Sequence, residues 1–356
     1  MLQFGKYERP ASVAEAYELL RKGRSSRILG GGVWLRLQNR KIPTVIDLSA
    51  CGLDRIERVE FETARPASEG DAWSVGAMVT LHELECHERF NDATCHVFEH
   101  AVRDIVGVQM RNLATVGGSL FGRFGFSDAL TALLPLDCEV ELAGAGRMPL
   151  AEFAASPYER DILVRLVVRM RDYRASFQCV RRSATDFPVL NVCAAEWGGA
   201  WRVAVGARPT RAVLVAGEAL GLPAEFTTNE LNAACERLSE LPMGSNMRGS
   251  ERYRRHLARE LGRRAILEAA GKSERDVADD TRQRAAEDLE DEREARRGPE
   301  RGAADARRAD SGVCAAGSEA HAAGSEAHAA RSDARAAAPG ARHASGSHRM
   351  SERGGE

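Results

Sequence analysis

The 356-residue sequence lacks several features that would place it in a familiar class of protein. Its eight cysteines are scattered, and no two form the Cys-x-x-Cys spacing that is typical of zinc sites and iron–sulfur clusters. No apolar run approaches the ~20 residues that span a bilayer, and the first residues lack the apolar core of a signal peptide. A formal net charge of −2 offers no basic stripe for nucleic acid. These absences predict a cytoplasmic protein without a cluster of its own.

The sequence also lacks a convincing metal-binding pattern. Four histidines, His82, His87, His96 and His100, lie close together along the chain. However, only His96 and His100 have the i, i+4 spacing that places two ligands on one helix face, and no carboxylate pattern completes a site. We therefore expect no metal site in this chain.

Residues 272–356 are poor in the side chains that build a core. They contain no Phe, Trp, Tyr or Ile and a single leucine, Leu289, so they cannot bury enough apolar surface to offset the entropy of ordering the chain. A duplicated heptad at residues 315–328 has only alanine at its apolar positions, which does not favour a coiled coil. Residues 282–297 are rich in Ala, Glu and Arg and predict at most a transient helix. We expect this tail to be disordered and dispensable for folding.

What the sequence does contain is two glycine clusters. Gly30, Gly31 and Gly32 follow an apolar pair, and Gly117 and Gly118 follow a threonine and a valine. Glycine adopts positive φ angles and lets the backbone approach a ligand closely, so neighbouring N–H groups can converge on phosphate oxygens. Either cluster alone is more typical of a tight turn. Together they predict two cradles for one long, phosphate-bearing cofactor.

The residues around both clusters resemble the two flavin loops of the FAD-binding subunits of molybdenum hydroxylases, the xanthine and carbon-monoxide dehydrogenase group. Residues 28–35 resemble the first loop, and residues 109–120 with the later Ser127-Asp128 resemble the second. Phe177, Arg181 or Arg182, and Asp186-Phe187 are similar to the start of the small C-terminal domain of the same subunits, and a Ser-x-x-Tyr-Arg-like stretch at residues 250–254 is similar to the start of its closing helix. The resemblance runs from the start of the chain to Gly271.

This resemblance implies an α+β fold, with a two-part FAD-binding domain of the PCMH or vanillyl-alcohol-oxidase type followed by a small domain of three strands capped by helices. We expect a first FAD-binding subdomain at residues 1–55 and a second at residues 56–171. The C-terminal domain would occupy residues 172–271, and the disordered tail residues 272–356. Helical and strand patterns along the sequence agree with this order.

The resemblance also implies which residues bind FAD. Residues 30–34 would donate backbone N–H groups to the pyrophosphate, and Thr115, Gly118 and Ser119 would hold its second side and the ribitol. Asp128 would accept from the adenosine ribose, and Leu163 would pack against the flavin or the adenine. No catalytic side chain is implied. The implied cofactor-binding residues are Ile28, Leu29, Gly30, Gly31, Gly32, Val33, Trp34, Leu35, Thr115, Val116, Gly117, Gly118, Ser119, Asp128, Leu163 and Gln178.

Several of these positions depart from the usual pattern of the family. Val33 replaces a threonine hydroxyl, Ser119 replaces an asparagine, and Gln178 stands where a lysine often faces the flavin ring. Trp34 replaces a small polar residue and either stacks near the cofactor or covers the loop. Loss of the lysine leaves the identity of the electron acceptor open.

The function implied is that of a flavoprotein subunit, an FAD-dependent oxidoreductase subunit of the xanthine dehydrogenase type. It would pass electrons from the iron–sulfur cluster of one partner subunit through FAD to NAD or another acceptor, while another partner holds the molybdopterin. A Rossmann dehydrogenase is disfavoured, because the third glycine of its fingerprint would fall at Leu35. A flavin-free scaffold or assembly protein of the same fold is the alternative that Val33, Trp34 and Gln178 keep open.

Overall fold

The computed structural model describes residues 2–61 and 70–297. Within them the chain forms three sheets of three, five and four strands, with helices packed between and around them. The strands of each sheet lie within one of the three segments expected from the sequence. The exact boundaries of those segments stay a prediction.

The first sheet is small and parallel, in the order β1-β3-β2. Its elements are β1 (Gln3–Glu8), α1 (Val13–Lys22), β2 (Arg27–Leu29) and β3 (Lys41–Asp47). Ser12 caps α1 by accepting from the N–H of Glu15, and Gly23 follows the helix, as the sequence predicts. The strand β1, which no sequence signal indicated, pairs along the edge of β3. The first glycine loop leaves this sheet at the end of β2.

The second sheet is antiparallel, in the order β4-β5-β8-β6-β7. Its strands are β4 (Ile56–Phe61), β5 (Gly70–Gly76), β6 (Cys138–Leu142), β7 (Gly146–Pro149) and β8 (Leu163–Arg169). The helices of this part are α2 (Leu81–Glu85), α3 (Glu88–Ala93), α4 (Val97–Val102), α5 (Val108–Arg111), α6 (Val116–Phe121), α7 (Asp128–Leu133) and α8 (Leu150–Ala155). One apolar core joins this sheet and its helices to α1 and β3, since Leu20 and Ile46 belong to it. The small first sheet is therefore stabilised by its neighbour rather than by a core of its own.

The C-terminal domain has four strands, not the three that the sequence predicted. Its elements are β9 (Arg174–Arg181), β10 (Pro188–Trp197), β11 (Ala200–Gly206), β12 (Val213–Ala216), α9 (Thr228–Ser239) and α10 (Glu251–Ala270). The extra strand, β12, is a four-residue edge strand beside β11, too short to give a clear alternating pattern. The arginine of the Ser-x-x-Tyr-Arg-like stretch, Arg254, is fully buried and donates to the carbonyl oxygens of Val189 and Gly244.

The expectation of disorder from residue 272 onwards is wrong for its first part. A long helix, α11 (Glu274–Arg297), follows α10. Val277 on its first turn is only 1% exposed and joins the apolar core of the C-terminal domain, while Thr281 accepts a hydrogen bond from the N–H of Thr228. One valine at the right position thus anchors a segment whose average composition predicted disorder. The rest of the predicted tail, residues 298–356, lies outside the described residues.

Candidate cofactor-binding site

The two glycine loops meet each other in backbone contact. A Cβ atom built on Gly31 would lie 1.3 Å from the carbonyl oxygen of Leu113, and one built on Gly30 would lie 2.9 Å from Oγ1 of Thr115. Gly32 has a φ of +69°, in the left-handed region that favours glycine. Glycine at these positions therefore serves the contact between the loops as well as any ligand.

The first loop presents free hydrogen-bond donors. Among the residues that the structure describes, no backbone amide of residues 30–34 donates to a protein acceptor. Buried N–H groups without an acceptor are rare, because each one costs free energy comparable to a lost hydrogen bond. A run of such amides at the wall of a cavity suits a ligand rich in acceptor oxygens.

The second loop is held differently, because the protein itself uses its amides. The N–H groups of Val116 and Gly117 donate to the carbonyl oxygens of Val79 and Ala77, at 2.9 and 2.8 Å. The N–H of Gly118 donates to Oγ1 of Thr115 at 3.1 Å. Since that oxygen acts as an acceptor, the Thr115 hydroxyl keeps its proton available for a ligand. The second loop therefore offers a hydroxyl and a close backbone surface rather than a set of free amides.

Both loops line one cavity of about 450 Å³. The predicted residues that line it are Ile28, Leu29, Gly30, Gly31, Gly32, Val33, Trp34, Leu35, Thr115, Gly117, Gly118, Ser119 and Leu163. Val116 does not, because its side chain is fully buried in the core beneath the loop. The walls include six further residues that sequence reasoning missed: Arg27, Gln38, Arg40, Phe121, Tyr158 and Arg160. They come from separated parts of the chain and share no motif, so only the tertiary fold brings them together.

Asp128 lies in a second, smaller cavity of about 150 Å³ beside the first. Its carboxylate accepts from Nη2 of Arg181 at 2.8 Å and from Nδ2 of Asn191 at 2.6 Å. Burial opposes the charge on Arg181, but the neighbouring Asp128 carboxylate outweighs it and raises the pKa of the guanidinium above its ordinary value. The predicted contact of Asp128 with the ribose therefore competes with a buried ion pair that already uses this carboxylate.

Gln178 does not reach either cavity. Side chains alternate along a strand, and Gln178 on β9 faces α10, where its amide donates to Oγ of Ser176 at 3.3 Å and bonds to the Glu268 carboxylate. The opposite face of β9 carries Arg181, which lines the second cavity. Gln178 therefore lines neither cavity in this structure, and its contact with the flavin stays a prediction.

Trp34 belongs to an aromatic cluster between the two cavities. Its ring centroid lies 5.4 Å from that of Phe124, 5.2 Å from that of Phe126 and 5.8 Å from that of Phe187. Phe187 comes from the C-terminal domain, so the cluster ties that domain to both loop regions. Trp34 lines both cavities, so its ring is placed beside the space expected for the cofactor, and its stacking near the cofactor stays a prediction.

The histidines have local roles in the part of the chain that the structure describes. Nδ1 of His82 lies 3.0 Å from Oε2 of Glu85, and Nδ1 of His96 lies 2.8 Å from Oε2 of Glu99. Across residues 2–61 and 70–297, no three His, Cys, Asp or Glu side chains come together as a possible metal site. No helix in these ranges has the length and apolar character needed to cross a membrane.

Comparison with known proteins matches two family models to consecutive parts of the chain. Residues 2–169 match the FAD binding domain in molybdopterin dehydrogenase, and residues 175–269 match the CO dehydrogenase flavoprotein C-terminal domain. The helix α11 lies beyond both matches.

Individual relatives agree with this assignment. A xanthine dehydrogenase FAD-binding subunit of Escherichia coli is 26% identical over 76% of this chain and 97% of its own length. The nicotine 6-hydroxylase medium subunit of Paenarthrobacter nicotinovorans is 28% identical over 75% of this chain and 98% of its own length. Among solved structures, reconstituted CO dehydrogenase from Oligotropha carboxidovorans shares the fold, with a TM-score of 0.65 at 21% identity over 75% of this chain and 98% of that one. The chain therefore belongs to the family of FAD-binding subunits of molybdenum hydroxylases.

Proposed function

We propose that this chain binds one FAD noncovalently and serves as the flavoprotein subunit of a molybdenum hydroxylase such as xanthine dehydrogenase. The observation that carries the proposal is the meeting of two glycine loops, Gly30–Gly32 and Gly117–Gly118, on the wall of one cavity of about 450 Å³. Membership of the family supports the same cofactor.

The residues of the cavity fit FAD. The free amides of the first loop match a pyrophosphate, which carries many acceptor oxygens and needs several convergent donors. The Thr115 hydroxyl lies where the two loops meet and is available to donate to the same group. Apolar side chains, among them Leu20, Leu48 and Leu163, line another part of the cavity and suit a ring system.

When bound, FAD supplies two-electron and one-electron redox chemistry. The chain itself positions the cofactor through the residues that line the cavity. We infer that the electrons come from an iron–sulfur subunit, because this chain has no recognisable cluster ligands of its own. A third, molybdopterin-binding subunit would oxidise the substrate, and NAD or another acceptor would take the electrons from FAD. The cytoplasmic location expected from the sequence stays a prediction.

The absorbance spectrum of the purified chain tests the cofactor. We expect the absorbance bands of FAD after purification or reconstitution. The Gly118→Asp variant should have lost most of its bound FAD, because the new carboxylate lies against the phosphates. Gly118→Asn is the matched control: it has nearly the same shape without the charge. A Cβ at position 118 contacts only Oγ1 of Thr115, at 3.1 Å, so small side chains fit. Normal FAD occupancy in Gly118→Asp would contradict the assignment.

The same spectrum separates the flavoprotein from a flavin-free scaffold. A colourless chain that cannot be reconstituted with FAD would favour the scaffold. Copurification after native expression tests the partners: we expect an iron–sulfur subunit and a molybdopterin subunit in the complex. If the chain alone oxidised a purine or an aldehyde at full rate, the subunit role would be wrong.

A further inference from the structure

Arg181 is the basic residue of the second cavity. Among the described residues that line this cavity, no other lysine or arginine occurs. Its side chain is 8% exposed and is held from two sides, by the carboxylate of Asp128 at 2.8 Å and by the backbone carbonyl of Asp186 at 2.7 Å. Its Nε is buried and has no hydrogen-bond acceptor, and the nearby Asp104 carboxylate is 4.0 Å away, beyond hydrogen-bond distance. The guanidinium is thus fixed in place, and its Nε–H donor is unused.

The second cavity adjoins the first. The two cavities share a wall that contains Val33, Trp34 and Ser119, next to the glycine loops. A dinucleotide with its diphosphate at the loops must send its two ring systems to opposite sides. The second cavity includes exposed parts of Val106 and Phe187, so a ring in it lies near the surface, where electrons can arrive and leave.

No other residue of β9 supplies a cation to this place. Gln178 faces α10 and bonds to Glu268. Cys179 shares the inner face of the strand with Arg181, but a thiol carries no positive charge in either protonation state. Burial raises its pKa to about 12, so it adds no negative charge at physiological pH either.

We propose that Arg181 sets the reduction potential of the FAD by donating to the isoalloxazine ring in the second cavity, with Asp128 as its positioning residue. This rests on the proposed function, and it places Asp128 beside the flavin ring instead of the adenosine ribose that the resemblance implies. Two electrons and one proton convert the neutral oxidised ring into a reduced ring that bears one negative charge. In the complex the electrons come from the iron–sulfur subunit, and in the test below they come from dithionite. A fixed cationic donor beside the ring stabilises the reduced form and raises the potential.

The test is the midpoint potential of FAD bound to the full chain, measured spectroscopically during dithionite titration with reference dyes at constant pH. Arg181→Gln removes the charge, and we expect the ratio of reduced to oxidised FAD at a fixed potential to fall about tenfold, since a charge-assisted hydrogen bond is lost. For a two-electron couple that is a shift of about −30 mV. Arg181→Lys keeps the charge, so its midpoint potential should stay close to that of the wild type.

Gln178→Lys is the matched control on the same strand. Its ammonium would face Glu268 on α10, so we expect no change in potential. Because Arg181→Gln alone leaves the buried Asp128 carboxylate without its partner, the double variant Arg181→Gln with Asp128→Asn repeats the test with both charges removed. We expect a smaller downward shift in it, because the net charge beside the ring is unchanged and only the donor nearest the ring is lost.

An unchanged potential in Arg181→Gln or in the double variant, at full FAD occupancy, would overturn the proposal. So would a rise of the potential in Gln178→Lys, because it would place the ring beside position 178. Absence of FAD from the wild-type chain is a different result, which would contradict the proposed function itself.

Discussion

Removal of α11 is expected to destabilise the fold, even though most of that helix is charged. A chain ending at Gly271 loses Val277, which is 1% exposed in the apolar core of the C-terminal domain. Burial of a valine side chain contributes about 1.5–3 kcal/mol. The hydrogen bond from the N–H of Thr228 to the Thr281 hydroxyl, 2.9 Å long, adds about 1 kcal/mol. The free energy of unfolding should therefore fall by at least about 2.5 kcal/mol.

Thermal unfolding monitored by circular dichroism measures this effect. For a domain of this size class, about 1 kcal/mol corresponds to roughly 2–4 °C in Tm, so truncation after Gly271 should lower Tm by at least about 5 °C. Truncation after Arg297 keeps both contacts and should leave Tm unchanged.

Two substitutions on the same helix separate the anchor from the helix as a whole. Val277→Ala in the full chain should lower the free energy of unfolding by about 2 kcal/mol, because two buried methyl groups are lost. Leu289→Ala is the control, since Leu289 is 56% exposed, and it should have little effect. An unchanged Tm after truncation at Gly271 would refute the reasoning. It would show that all of residues 272–356 are dispensable for stability, as the sequence predicted.

Three further predictions concern the loops and one surface cluster. Gly31→Ala should separate the two loops and abolish FAD binding, because its Cβ would lie 1.3 Å from the carbonyl oxygen of Leu113. Gly30→Ala meets a side-chain atom instead, Oγ1 of Thr115 at 2.9 Å, so it should bind less FAD than the wild type but more than Gly31→Ala. Equal FAD occupancy of the two variants would speak against the loop contact. Thr115→Val should weaken FAD binding at least about tenfold, as measured by equilibrium titration of the FAD-free chain, and an unchanged Kd would show that its hydroxyl contacts no phosphate. Burial alone would raise the pKa of Glu141, but hydrogen bonds from Arg165 and Arg147 outweigh it and hold the pKa below its ordinary value of 4.5. The stability that this cluster contributes is therefore fully present above pH 4.5 and is lost as the pH falls through the lower pKa of Glu141 in the folded state. Glu141→Gln should lower the urea midpoint at pH 7 and have less effect at acid pH. Equal losses of the urea midpoint at the two pH values would contradict the assignment.

The two glycine clusters could be recognised from the sequence because a close backbone contact leaves a local mark, while their role in FAD binding stays a prediction. Gly31, in the cluster that follows β2, lies so close to the backbone of Leu113 that no Cβ fits, so this requirement appears in consecutive positions of the sequence. The same holds for Ser12, which caps α1 by accepting from the N–H of Glu15 three positions later.

The remaining parts of the site depended on information that is not local. Asp128 and Arg181 are 53 positions apart in the sequence and meet only when α7 packs beside β9. The orientation of Gln178 depended on the register of a single strand, and a shift of one residue moves a side chain to the opposite face. Val277 was hidden because an average over residues 272–356 conceals one apolar side chain at an anchoring position.

The different ways in which the two loops are held have a consequence for how the holoprotein is assembled. The second loop is hydrogen-bonded to the segment after β5, through Val79 and Ala77, so it can reach its final shape before any cofactor arrives. The amides of residues 30–34 have no such partners in the described protein, and they gain theirs only from the ligand. When FAD binds, the second loop therefore already has its final conformation, and the first loop acquires its hydrogen bonds last. Amide hydrogen exchange would record it as slow exchange throughout at Gly117, and as fast exchange at residues 30–34 that slows when FAD binds.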